Sequence, residues 1–227
     1  CNSGNANTCN ANGIEIAEQM SDLTAKALGI DSKDVVVAST GVIGQPLNLE
    51  PIKNGIPELK KLLSKDGSGD AAEGIMTTDT KLKEIATEFE IDGKICHIGG
   101  IAKGSGMIHP NMATMLVFIT TDVNITKEML QKALSGDVTD SFNMLSIDGD
   151  TSTNDMVSVM ANGLAGNDEI TCECADFDEF CKALNAVTTH LCRTIAGDGE
   201  VATKLLECIV DGAATKEIAV TVSKSVI

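Results

Sequence analysis

The chain has 227 residues, a formal net charge of −16 and 43% hydrophobic residues, with neither Trp nor Tyr. So large a negative charge excludes nucleic acid and anionic membrane surfaces as partners, because both require basic patches. No apolar run is long enough for a transmembrane helix, and the core must be aliphatic, filled by Ile, Val, Leu, Ala and Met.

Residues 1–13, CNSGNANTCNANG, are Asn- and Gly-rich and turn-like. Residues 14–28 place Ile14, Ile16, Ala17, Met20, Leu23, Ala27 and Leu28 at mostly helical spacing, with Gly29 as C-cap. Residues 34–39 read as a short buried strand that runs into a sharp turn at 40–44. Residues 57–63 read as a helix with Pro57 near its first turn, 64–70 as a loop, and 71–76 as a helix leading into Thr77-Thr78-Asp79-Thr80. Residues 83–89 fit either helix or strand. Residues 91–101 predict a hairpin about Asp92-Gly93, and 115–121 predict a strand of Leu, Val, Phe, Ile and Thr.

Residues 126–134 read as a helix capped by Thr126. Residues 141–147 are short and apolar, 148–155 form a polar loop, and 156–161 fit helix or strand. The longest helical pattern is 176–196, with Phe177, Phe180, Leu184, Val187, Leu191 and Ile195 on one face and Gly197-Asp198-Gly199 as its stop. Residues 201–210 predict a further amphipathic helix, and 217–227 alternate like a strand. Interleaved strands and helices without an internal repeat or linker specify one layered α/β or α+β domain over residues 1–227.

The stretch most loaded with special residues is KGSGMIHPNMATML, residues 103–116. Gly104 and Gly106 permit unusual backbone angles. Pro110 fixes its own φ and pushes His109 towards an extended conformation. Thr114 then stands at the mouth of a buried strand. From residue types alone this is a loop feeding a core strand. Thr40-Gly41 is a turn, or a hydroxyl and a backbone N–H that hold an oxyanion. Lys103 is a solvated lysine or an anion contact, and Glu200 a helix cap or an amine ligand.

The loop DGDTSTND alternates like a calcium-binding loop, but Thr153 and Val159 stand where an EF-hand needs Gly and Glu. Zinc spacings, GxSxG, P-loop and Rossmann fingerprints do not occur, and His97, His109 and His190 have no triad-like setting. The 8 cysteines, irregularly spaced, read as buried free thiols in a reducing cytosol rather than disulfides or metal ligands. The chain begins at Cys1 and carries no visible signal peptide.

KGSGMIHPNMATML resembles, almost letter for letter, the self-cleavage segment of the ornithine acetyltransferase family, the glutamate N-acetyltransferases of arginine biosynthesis. STGVIGQPL, AAEGIMTTDT and AGDGEVATKL are similar to further segments of that family, and the likeness runs nearly end to end from Asn2. The resemblance implies a layered, self-processing fold of the N-terminal-nucleophile-like kind. It implies cleavage between Ala113 and Thr114 into an α-chain part (1–113) and a β-chain part (114–227). Thr114 is then the nucleophile and its new α-amino group the base. Thr40 and Gly41 map onto the oxyanion donors. Thr77 (or Thr78, one register away), Lys103, Thr114 and Glu200 map onto substrate-binding positions.

The reaction implied is acetyl transfer from N2-acetylornithine to glutamate in the cytoplasm, by a heterotetramer of α and β chains. It needs no metal or cofactor, although some members accept acetyl-CoA as co-substrate. This chain departs from the family at Val201, where the family has Gly. The family's chain is also longer at both ends, and its C-terminal Asn and Ser or Thr ligands have no counterpart here, so the sequence reads as a fragment. Two other readings stand beside this one. One is a self-processing amidohydrolase or aminopeptidase of similar architecture with water as acceptor. The other is a non-enzymatic domain that is never cleaved.

Overall fold

The computed structural model describes residues 1–108 and 115–227. Helix α1 (Gly13–Leu28) forms where its apolar spacing predicts, with Glu15 in the first turn and Lys26 in the last. Gly29 closes it at φ 77° and donates its N–H to Ala25 O, a left-handed cap that costs glycine no steric penalty. Helix α2 (Glu50–Leu62) starts earlier than expected, because the proline of the first turn is Pro51 and Pro57 lies inside the helix. Ile16, Met20 and Leu47 form a small core with Val37, Leu49 and Ile52. A short helix α3 (Ser68–Gly74) follows.

The centre is a four-stranded sheet, counted among the described residues, in the order β1 (Lys83–Ile91), β2 (Lys94–Lys103), β3 (Leu116–Thr121), β4 (Met156–Ala161). The β1–β2 and β2–β3 pairs are antiparallel, and β3–β4 is parallel. The β1–β2 turn is Asp92-Gly93, both at positive φ (49° and 69°), the geometry that favours this dipeptide in two-residue hairpins. Helix α4 (Lys127–Asp140) crosses over between β3 and β4, capped by Thr126, whose hydroxyl accepts the Met129 N–H. Helix α5 (Ala175–Ala196) lies on β1 and β2. Its six predicted apolar residues are all buried, in one core with Ile98, Val117 and Ile119 of the sheet and Phe89 at its margin. The mixed α/β class expected from the interleaved pattern is what forms, as a sheet and a helical layer packed on one of its faces.

Helix α3 begins inside the stretch 64–70 expected as a loop, and three further segments differ from expectation in kind. Residues 34–39 are not a strand: a 3-10 turn (Ser32–Asp34) is followed by an extended stretch that makes an isolated bridge at Ser39, and Val36 is exposed. Residues 201–210 are not helical. Leu206 and Ile209 are exposed and only Cys208 and Val210 are half-buried, so little of the apolar face packs, and packing supplies most helix stability in proteins. Residues 217–227, expected as a strand, fall largely in helix α6 (Lys216–Lys224), where the Thr215 hydroxyl accepts the Ile218 N–H and Glu217 sits in the first turn. The segments left open, 83–89 and 156–161, are strands: the first pairs with β2 across the Asp92-Gly93 hairpin, the second with β3 from far back in the sequence.

Candidate active site

The sheet edge at the end of β2 holds a buried ionic network. Lys83, at the start of β1, is 1% exposed and donates to Asp79 at 2.7 Å and to Asp198 at 2.6 Å. Asp79 also accepts the Gly104 N–H at 2.6 Å and the Thr77 N–H at 3.1 Å. Asp198 accepts the Thr80 N–H, the Thr80 hydroxyl and the Lys81 N–H. Burial pushes both carboxyls up, but the hydrogen bonds from Lys83 and the loop amides outweigh it; Asp79 is lowered and Asp198 falls to about 2. The network therefore ties the 77–80 loop, the glycine pair after β2 and the turn after α5 into one unit.

Lys103 lies beside this network, 2% exposed, with its Nζ 4.0 Å from Asp79. A lysine so enclosed is not a solvated surface residue. Burial pushes its ammonium down, while Asp79, Glu200 and Asp155 draw it back up. Glu200 lies two residues beyond Asp198, and its N–H donates to Ser105 O at 2.6 Å. A Cβ built on Gly106 would lie 2.6 Å from the Glu200 carboxyl carbon, so a side chain there would displace the Glu200 carboxylate from its present position. Of the glycine pair only Gly104 takes a positive φ (156°), and Met107 takes one as well, at 57°. The Thr78 hydroxyl meets that of Ser105 at 2.6 Å, whereas Thr77 engages the network through its N–H; both threonines are exposed.

The polar loop 148–155 grips the chain on both sides of residues 109–114. Asp148 accepts the N–H groups of Met107 and Ile108, and Ile147 N–H donates to Ile108 O. On the other side, Asp155 accepts the Met115 N–H at 2.9 Å. The same loop reaches the N-terminal segment: Asn154 donates to Ser39 O at 3.1 Å and also bonds the Thr8 hydroxyl. Next to Ser39, Thr40 is 1% exposed and its buried hydroxyl has no hydrogen-bond partner among the described residues. Gly41 takes φ 116°, and a Cβ there would lie 2.6 Å from the Gly4 backbone, so no other residue fits. A buried hydroxyl left without a partner is uncommon in a folded protein and marks this turn out from an ordinary one.

Of the residues singled out in the sequence, Lys103, Glu200 and Thr78 are thus brought together, with Thr77 on the same loop. Thr40 and Gly41 join through Ser39, Asn154 and the 148–155 loop. Ala113 and Thr114 lie outside the described residues. Sequence reasoning missed Asp79, Lys83, Ser105, Asp148, Asp155 and Asp198. Asp79 and Asp198 stand inside motifs already noted, TTDT and GDGE, but nothing in the sequence pairs them with a lysine. Among the described residues no group of His, Cys, Asp and Glu could hold a metal ion. The 8 cysteines are free, and only Cys96 and Cys192 are buried, so the expectation of buried thiols fails for exposed Cys1, Cys9, Cys172 and Cys174.

Val201 is fully exposed at φ 54°, a conformation that costs an L-residue roughly 1–2 kcal/mol and suits a β-branched one least. Glu200 nevertheless keeps its place against Gly106. Val201→Gly is expected to raise stability by about 0.5–1 kcal/mol, less than the strain relieved because glycine also loosens the unfolded chain. The urea midpoint measures this, and an unchanged or lower midpoint would show that no strain is stored there.

The family model described as "ArgJ family" matches residues 1–227. The chain belongs to the ArgJ family. It is 52% identical over 227 residues to arginine biosynthesis bifunctional protein ArgJ 1 of Clostridium acetobutylicum, covering 100% of this chain and 56% of that protein. It is 50% identical over 229 residues to the glutamate N-acetyltransferase of Methanocaldococcus jannaschii, again 100% of this chain and 56% of that one. The chain therefore spans little more than half the length of these ArgJ relatives. A crystal structure of arginine biosynthesis bifunctional protein ArgJ from Bacillus halodurans is 51% identical, with a TM-score of 0.46 over 47% of this chain and 50% of that chain. No helix among the described residues is long and apolar enough to cross a membrane.

Proposed function

We propose that the protein moves the acetyl group of N2-acetylornithine to glutamate through an acetyl ester on Thr114, in arginine biosynthesis, after cleaving its own chain between Ala113 and Thr114. One observation carries this reading: the 148–155 loop binds the backbone on both sides of residues 109–114 through Asp148 and Asp155, as a junction held for reaction requires. Thr114 attacks the acetyl carbonyl, and its own α-amino group, with an ordinary pKa of about 7.7–8.0, takes the proton. The Thr40 hydroxyl and the Gly41 amide stabilise the oxyanion. Lys103 meets the substrate carboxylate, Glu200 its amine, and the 77–78 threonines complete the contact.

Acyl transfer of this kind asks for a nucleophile, a base and oxyanion donors, and for no metal or cofactor; acetyl-CoA enters only as an alternative acetyl donor. The α (1–113) and β (114–227) parts assemble as a heterotetramer in the cytoplasm.

Denaturing electrophoresis of the full-length protein with N-terminal sequencing tests the cleavage: a β piece beginning Thr-Met-Leu-Val is expected. Ornithine release that depends on glutamate then separates transfer from hydrolysis. A single uncleaved band with full activity would overturn the mechanism.

Lys103→Ala is expected to lower kcat/KM for acetylornithine by roughly one to two orders of magnitude, since a charge-assisted hydrogen bond to a carboxylate is worth about 1.5–3 kcal/mol. Steady-state kinetics checks this, and a change under about twofold removes Lys103 from the binding site.

A further inference from the structure

The two carboxylates of the 148–155 loop are used differently. Asp148 engages both oxygens, one on the Met107 amide and one on the Ile108 amide. Asp155 engages one. Its Oδ1 accepts the Met115 N–H at 2.9 Å, while its Oδ2 is buried with no hydrogen-bond partner among the described residues. Met115 is the residue after Thr114, and it is 2% exposed and fixed at its other end by Met156 N–H on its carbonyl at 3.0 Å. An asparagine could accept the same amide with no charge to bury. What the carboxyl adds is a charge that faces Lys103 and a proton that it can take and return.

We propose that Asp155 handles the proton of self-cleavage. This rests on the reading of Thr114 as nucleophile. The Asp155 carboxylate takes the proton of Thr114 Oγ as that oxygen bonds to the Ala113 carbonyl carbon. The adduct collapses with breakage of the Ala113–Thr114 C–N bond, and Asp155 returns the proton to the departing nitrogen. Water then hydrolyses the ester, giving the Ala113 carboxylate and restoring the Thr114 hydroxyl; the proton released joins the new amine.

The groups that act on Asp155 are the Met115 amide and the charge of Lys103 on β2, itself among Asp79, Lys83 and Glu200. Burial pushes the Asp155 carboxyl up to about 6 against both of them, which sets it near the pH where proton exchange is efficient.

The test follows cleavage of newly synthesised full-length precursor by gel, for wild type, Asp155→Asn and Thr114→Ala. Wild-type cleavage should speed up with pH through about 6 and then level off. Asp155→Asn should cleave at least tenfold more slowly without that inflection, and Asp155→Glu should recover part of the rate. The folded protein holds a proton on Asp155 that the unfolded chain has lost between about pH 4 and 6, so ionisation lowers stability as pH rises through that window. Asp155→Asn should therefore show a higher Tm than wild type above pH 6. A merely structural role would lower it.

Wild-type-like cleavage by Asp155→Asn overturns the proposal and leaves the reading of Thr114 intact. Failure of wild type to cleave overturns both. Should Asp155→Asn not fold, a wild-type cleavage rate that is flat from pH 5 to 7.5 overturns the proposal by itself.

Discussion

Lys83→Met in the full-length protein is expected to destabilise it by about 3–5 kcal/mol. The substitution leaves Asp79 and Asp198 buried without their shared cation, and breaking a buried pair from one side costs on that order. For a chain of this size that is a fall in Tm of roughly 10 °C. The double variant Lys83→Met/Asp198→Asn should recover part of the loss, because one uncompensated charge goes with the lysine. In wild type the carboxylates sit below their unfolded pKa values, Asp198 at about 2. Their stabilisation is therefore present above about pH 4 and fades as pH falls towards 2. Thermal melts across that range check both points. A Lys83→Met protein as stable as wild type would mean that the network contributes nothing. Because the same network holds Gly104 and the 77–80 loop, a folded Lys83→Met protein should also bind acetylornithine more weakly.

Thr114→Ala has the largest expected effect on activity. The precursor should stay as one band, and acetyl transfer should fall by on the order of four powers of ten or more, as when a nucleophile is removed from other acyl-transfer sites. Wild type incubated with acetylornithine alone should gain one acetyl group on the β chain, visible by mass spectrometry. In the proposed mechanism the donor leaves before the acceptor enters, so double-reciprocal plots should be parallel. The base proposed for turnover is the amine at Thr114, so kcat/KM should rise with pH and level off near 8, clearly above the inflection near 6 expected for cleavage. Intersecting lines with no acetylated β chain would point to direct transfer and remove the covalent role of Thr114.

Much of the architecture was legible in the sequence because it follows local rules. The helix over residues 175–196 is written in the spacing of Phe177, Phe180, Leu184, Val187, Leu191 and Ile195, and all six are buried. Asp92-Gly93 marks its hairpin and Thr126 its cap, since turn and cap chemistry act over two to four residues. Where the reading failed, local pattern did not decide. Residues 201–210 have an amphipathic pattern, but most of its apolar residues stay exposed. Residues 217–227 alternate, yet no strand lies alongside, and the cap at Thr215 prevails.

The candidate site divides in the same way. Its family came from contiguous motifs legible without a fold, and the same motifs supplied the proposed cleavage junction and the candidates Thr40, Gly41, Lys103 and Glu200. The partners of those residues did not. Asp79, Lys83 and Asp198 meet across more than a hundred positions of sequence, and Asp148 and Asp155 reach amides about forty residues away. A sequence states which charges a chain carries, but whether a charge is solvated or buried against an opposite one depends on which strands pair and where α5 ends. That decided that Lys83 is a buried tie rather than a surface cation, that Lys103 is enclosed, and that the polar loop after residue 147 braces both sides of the junction.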